Sequence, residues 1–333
     1  MGQLKDIRKY NKIMLPIKTK LPEHFLDEEV RCGYKISHKM KKLWAVEIDL
    51  LVELDRVCKE NGITYWVNGG TMLGAARHRG FIPWDDDIDV MVPRKDYIKL
   101  CKIAPNKFSS PYFFQTEYTD PTSFRTHAQL RNSRTTAILS YDFKKRSTFN
   151  QGIFIDIFPL DNIPDNPKEF EVMRRTGSRQ YKTASFFHSL YLHKKADSLK
   201  TRLGNIVRDC WHPIGKHFYK QLVQKHYKKY EDIIGLYAND KTKECSLLVF
   251  NFGSIHRRLW SDFDKTTYLD FEFIKVPVPY KYEDNLTRVF GDWHKFVKGT
   301  SFHGGMYFDT ERPYTEVYKD FKEGRLDLYK YFK

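Results

Sequence analysis

The stretch WVNGGTMLGAARHRGFIPWDDDIDVMVPRKDY, Trp66–Tyr97, decides how this chain folds. Asp85, Asp86, Asp87 and Asp89 crowd a short run with apolar neighbours, in a chain whose formal charge is +15. The segment DIDVMV (Asp87–Val92) alternates and predicts a strand. Asp87, Asp89 and Met91 would share one face, and Ile88, Val90 and Val92 the other. Asp85 joins the first face if the strand begins early. Upstream, ITYWV (Ile63–Val67) predicts a short buried strand, Gly69-Gly70 a tight turn, and TMLGAARH two turns of helix. Pro93 stands at the first position of a helix expected to run to about Ile103, where its missing N–H costs nothing.

Working outward, residues 38–62 predict a helix. Leu43, Val46, Leu50, Leu54 and Val57 recur at three- and four-residue steps, and Asn61-Gly62 ends the run. Short strands are expected at Tyr112–Thr116, Thr126–Arg131, Thr135–Leu139 and Gly152–Phe158. In the last, GIFIDIF, Asp156 is a lone carboxylate in an otherwise apolar strand. PLDNIPDNP then breaks the pattern with three prolines. Residues 167 to about 240 are helix-prone and rich in Lys, Arg, His, Tyr and Phe, which reads as a helical insertion. Strand-and-loop character returns near Cys245.

Composition sets limits. With 333 residues, 41% hydrophobic and 16% aromatic, the chain can bury a full core. No run of about 18 apolar residues could span a membrane. The N-terminus has no apolar secretory stretch, and Asp6 stands where a myristoylation signal wants Ser or Thr. A soluble, cytoplasmic protein is expected. Five cysteines, far apart and in no CxxC pair, argue against a disulfide framework or a zinc knuckle. The positive charge suits nucleic acid, anionic membranes or phosphorylated ligands; composition does not choose among them.

Chemistry narrows the choice. A buried carboxylate without a partner is costly, and three from adjacent strands repel unless cations sit between them. Hard divalent ions such as Mg²⁺ or Mn²⁺ take oxygen ligands of this kind, and two ions about 4 Å apart can clamp an in-line phosphoryl displacement. A competing reading leaves Asp85 and Asp86 as solvated loop charges and pairs Asp156 with an arginine. Against it, a Gly-Gly turn opening a helix presents N–H groups to an anion, and Thr71 can add a hydroxyl. Strand, glycine turn, helix, acidic strand and a third acid on a later strand together make a phosphate-and-metal arrangement.

That order resembles the nucleotidyltransferase fold of the polymerase-beta type. GGTMLGAARHRGFIPWDDDIDVMVPRKDY and GIFIDIFPLD are more closely similar to the LicD family, which includes bacterial phosphocholine transferases and is related to fukutin-type proteins. The resemblance covers roughly residues 40–162 and, more weakly, FEFIKVPVPYKYEDNLTRVFGDW (Phe271–Trp293). It implies an α+β fold, a mixed sheet with flanking helices plus the helical insertion. The chain would divide into an N-terminal segment and helix (1–62), a catalytic core (63–166), the insertion (167–244) and the C-terminal part of the catalytic domain (245–333).

The resemblance also implies metal-dependent transfer of a phospho-alcohol, phosphocholine first, from a CDP-activated donor such as CDP-choline. The acceptor would be a hydroxyl of a cell-surface glycan or its lipid-linked precursor, with CMP released. Asp87, Asp89 and Asp156 match the catalytic acids, and together with Asp85 the metal ligands. Gly69, Gly70 and Thr71 match the phosphate turn, and Arg77, His78 and Arg79 the basic link to the acidic strand. Arg134, Thr135 and Thr136 fall where the family often carries an Arg- or Thr-containing run, with Ala137 in place of its Tyr. Arg77, Arg79 and Arg134 are expected on donor phosphates as forked donors, although each also reads as a solvated charge.

The histidines show no metal-ligand spacing, and His78, His127, His256, His294 and His303 are expected on the surface or in the core. The insertion reads either as a helical layer packed on the core or as a basic face peripheral to the inner side of an anionic membrane. Two other functions stay open: nucleotidyl transfer from an NTP with release of pyrophosphate, and a basic nucleic-acid-binding protein. The acidic motif, and basic residues interleaved with acids, speak against a nucleic-acid partner.

Overall fold

A computed structural model describes residues 15–121, 123–144, 148–192, 202–249, 257–297 and 305–332, with only the backbone for 202–214. The fold is α+β. A hairpin of β1 (Glu29–Arg31) and β2 (Tyr34–Ile36) leads into α1 (His38–Glu60). Ser37 caps α1 by accepting the Met40 N–H, which satisfies one of the helix's orphan donors. Leu43, Trp44, Val46, Ile48, Leu50, Leu51, Leu54 and Val57 are all buried. Apolar burial on more than one face makes α1 a central helix of the main core rather than a surface layer.

The chain then forms β3 (Trp66–Val67), α2 (Gly69–His78), β4 (Asp89–Pro93) and α3 (Arg94–Lys107). The acidic strand is shorter than its alternation predicts. It starts at Asp89, so Asp85, Asp86 and Asp87 lie in the approach to it. The first buried strand likewise shrinks to Trp66–Val67, and Pro93 closes β4 instead of opening the helix.

Next come β5 (Tyr112–Gln115), β6 (Ala128–Asn132), β7 (Thr136–Leu139), α4 (Ser140–Lys144) and β8 (Ile153–Ile163). The prolines do not stop β8 at Phe158. It runs eleven residues, with Pro159 opposite Val92 of β4. A second half paired to neighbours outweighs one missing N–H. Its Asp161 is fully buried and takes both Nε and Nη2 of Arg94, at 2.5 and 3.0 Å.

β8 organises the sheet. It runs parallel to β4, with Asp89 opposite Asp156, and antiparallel to β6, with Gln129 opposite Asp156. β4 also pairs with β3. The last residues of β8 pair with β9 (Glu244–Ser246), which pairs with β10 (Arg258–Leu259). Between β8 and β9 stand α5 (Pro167–Tyr191) and α6 (Arg202–Ile234), packed on one another. Met173 of α5 shares a small apolar cluster with Tyr230 and Ile234 of α6. The hairpin of β11 (Thr266–Phe271) and β12 (Ile274–Pro279), then α7 (Tyr282–Phe290), close over α2. β13 (Met306–Asp309) pairs with β7, and α8 (Tyr314–Lys322) follows. No helix among the described residues is long and apolar enough to cross a membrane.

Candidate active site

Asp85, Asp86 and Asp87 offer one carboxylate oxygen each within 4.8 Å of one another. Asp89 follows on β4 and Asp156 stands beside it across the parallel ladder. Five acids therefore meet, two placed by strand register and three by the turn that enters β4. Trp44 of α1 fixes that turn by donating Nε1–H to the Asp85 carbonyl at 2.9 Å.

The glycine turn explains how the acids come so close. Gly69 has φ +54°, and a Cβ there would stand 3.2 Å from Asp89 Oδ2; a Cβ on Gly70 would stand 2.6 Å from Asp85 Oδ2. Both carboxylates thus rest on the first turn of α2, where unpaired N–H groups and the helix dipole favour negative charge. Asn68 precedes the helix without capping it through its side chain; its Oδ1 instead accepts Arg258 Nη2–H at 2.7 Å. Thr71 is buried, and its hydroxyl oxygen accepts the Asp89 N–H at 2.9 Å. The three turn residues hold the acids in place, a role the sequence does not suggest.

Asp156 has partners the sequence reading misses. Among the described residues no arginine forms an ion pair with it. Its Oδ1 accepts Gln129 Nε2–H at 2.6 Å and lies 3.0 Å from His127 Nε2. A carboxylate only accepts, so the imidazole carries its proton on Nε2. His127, read as an ordinary surface or core histidine, therefore belongs to the site. Burial pushes the Asp156 carboxyl up, but His127, the Arg125 charge and Gln129 outweigh it and hold the pKa at about 2. Burial and the charges of Asp87, Asp156 and Asp85 push Asp89 the other way. Neighbouring acids driven apart in this manner mark functional sites.

Beside the acids lies a cleft of about 390 Å³, lined in part by Gly70, Arg77, Trp84 and Lys295. Arg77 Nη1 donates to the carbonyls of Trp293 and Lys295 at 3.1 and 3.3 Å, and its Nε to His78 Nε2 at 3.1 Å. Arg79 and Arg134 are not brought to the cleft. Arg79 is exposed, caps α2 in the left-handed region and gives its carbonyl to the Glu272 N–H. Arg134 is exposed in the turn after β6, beyond the end of the strand that carries Gln129. Of the other histidines, His294 is exposed, and His256 and His303 lie outside the described residues. A larger cavity of about 850 Å³, walled by Phe143, Tyr318 and Phe332, has no acid among its described lining; chemistry selects the smaller cleft.

These carboxylates fit a divalent cation. They are hard oxygen donors, and those of Asp85, Asp86 and Asp87 lie close together. Fold and site thus define an α+β protein built around a carboxylate cluster at a helix N-terminus. Residues 62–195 match the family model described as LicD/FKTN/FKRP, nucleotidyltransferase domain. The chain is 28% identical over 272 residues to lipopolysaccharide cholinephosphotransferase LicD of Haemophilus influenzae, spanning 77% of this chain and 93% of that protein. Over 40 residues it is 48% identical to the Homo sapiens ribitol 5-phosphate transferase FKRP, 12% of this chain and 8% of that one. The chain is thus similar to the LicD family, whose nucleotidyltransferase domain is matched over residues 62–195.

Proposed function

We propose that the chain is a metal-dependent phosphotransferase with a polymerase-beta-like core. It moves a phospho-alcohol, phosphocholine first, from a CDP-activated donor to a hydroxyl of a cell-surface glycan or its lipid-linked precursor. The observation that carries this reading is the meeting of Asp85, Asp86, Asp87, Asp89 and Asp156 at the first turn of α2. The names of the two relatives, one a cholinephosphotransferase and one a ribitol 5-phosphate transferase, support the class of group transferred.

Asp85, Asp87, Asp89 and Asp156 would hold Mg²⁺ or Mn²⁺, which when bound supplies charge to the transferring phosphate and the departing CMP. His127 and Gln129 fix Asp156 through Oδ1 alone, which keeps Oδ2 out of both bonds. The first-turn N–H groups of α2 and the Arg77 guanidinium orient donor phosphates. The acceptor hydroxyl attacks the phosphorus bearing the alcohol, the P–O bond to CMP breaks, and an aspartate of the cluster takes the hydroxyl proton.

An acceptor on a lipid calls for membrane proximity. Arg175, Arg179, Lys182 and Phe186 are exposed on one outer face of α5, opposite buried Met173, Gly177 and Ala184. That face suits the anionic inner surface of a cell membrane. Cytoplasmic location follows from the same reading.

The test is product analysis with CDP-choline, CDP-glycerol and CDP-ribitol, Mg²⁺ and a lipid-linked glycan fraction. Acceptor-dependent CMP from one donor is expected. Pyrophosphate from an NTP, with no CMP from any donor, would replace this reading by nucleotidyl transfer.

A further inference from the structure

One buried acid has no part in the chemistry above. Glu47, near the middle of α1, is 1% exposed, and its Oε2 has no hydrogen-bond partner among the described residues. Trp44, three residues earlier and so on the same side of the helix, bonds the Asp85 carbonyl. This side of α1 therefore packs against the acidic turn. Burial and then Asp87, Asp86, Asp85 and Asp89 act on Glu47, in that order, and all four neighbours push its pKa up. Glu47 also lies outside the matched segment 62–195, so that match is silent about it.

Packing alone does not account for this carboxyl. A leucine or methionine would fill the same space without an unsatisfied oxygen, whose burial is costly. Glu47 thus stands on the side of α1 that holds the turn carrying Asp85, Asp86 and Asp87. The charge that could relieve Glu47 is a cation lying between it and the aspartates of the turn.

We propose that Glu47 is a further carboxylate ligand of the divalent cation held by Asp85, Asp86 and Asp87, presented from α1. The proposal rests on the metal part of the function above and not on its donor or acceptor. It gives the site one ligand carried by a core helix. That ligand fixes the ion's position while the three aspartates sit in a turn ahead of β4.

Mn²⁺ binding to the full chain, followed by loss of the free-ion paramagnetic resonance signal, tests this without any substrate. Glu47→Gln should bind Mn²⁺ at least tenfold more weakly, and its Mn²⁺-induced rise in Tm should shrink. Its Tm without metal should stay or rise, because a neutral amide no longer faces four carboxylates. Unchanged Mn²⁺ affinity overturns the proposal. So does a lower metal-free Tm with affinity kept, which is what a purely structural carboxyl gives. If Glu47→Gln does not fold, Glu47→Asp keeps the charge one methylene short and should also lose affinity; full affinity there overturns the proposal equally. Asp87→Ala separates the two levels. If it too leaves Mn²⁺ binding intact, the metal reading fails as a whole; if it abolishes binding while Glu47→Gln does not, only Glu47 is misassigned.

Discussion

Replacing Gly70 by alanine should damage the site without damaging the fold. A Cβ there would stand 2.6 Å from Asp85 Oδ2, whereas ordinary contact begins at 3.4 Å. Asp85 must therefore retreat by about 0.8 Å, the difference of those two distances. A displacement near 1 Å in a reacting constellation costs on the order of 10²-fold in rate. Gly70 is not among the positive-φ glycines and is the second residue of α2. Alanine is thus conformationally acceptable and gains up to about 1 kcal/mol of helix propensity. Gly69→Ala should behave in the opposite way. Its φ of +54° costs an alanine about 1–2 kcal/mol, while its Cβ clears Asp89 Oδ2 by a shift of a few tenths of an ångström. Denaturant unfolding gives the two stabilities, and Mn²⁺ binding with CMP release gives the two site effects. Gly70→Ala with wild-type Mn²⁺ affinity and rate would refute the reasoning, as would a loss of more than about 1 kcal/mol in its stability.

Three further outcomes are expected. His127→Ala frees one oxygen of Asp156 from its orienting contact and should cost about 10–100-fold in metal affinity or activity; wild-type values in both would return His127 to the core. The His78 pKa is lowered to about 4 by burial and by the charges of Arg77 and Arg31, so between the usual imidazole value and that point the unfolded chain binds more protons. Stability must fall as pH drops through that window, and less in His78→Gln; parallel losses in the two proteins would contradict the assignment. Neutralising Arg175, Arg179 and Lys182 together removes about 3 kcal/mol of attraction to phosphatidylserine vesicles at about 1 kcal/mol per charge. Vesicle co-sedimentation should fall about 100-fold, and unchanged binding would remove α5 from the membrane reading.

Local pattern carried the parts of this fold that depend on local pattern. The stripe Leu43, Val46, Leu50, Leu54 marks α1, and period-two alternation puts Asp89 and Asp156 in strands that prove to be neighbours. Strand length was less legible. Asp87 fell outside β4 and Pro159 inside β8, because pairing partners far along the chain decide where a ladder ends. The site's supporting residues were harder still. His127 and Gln129 reach Asp156 only through the β6–β8 register, which no short window contains. Glu47 did leave a signal, since it stands on the apolar stripe of α1, four residues after Leu43 and three before Leu50. Arg134 shows the converse: a motif position matched by resemblance, placed by the fold at the end of β6 away from the acids.

The most direct test of the central claim is CMP release from a CDP-alcohol, with Mg²⁺ and acceptor present, by the wild-type chain, Asp87→Ala, Asp89→Ala and Asp156→Ala. The carboxylate site predicts release that stops with a chelator, returns with Mg²⁺ or Mn²⁺, and is lost in all three variants while each still unfolds cooperatively. Release that persists in the chelator, or in any of the three folded variants, would contradict it.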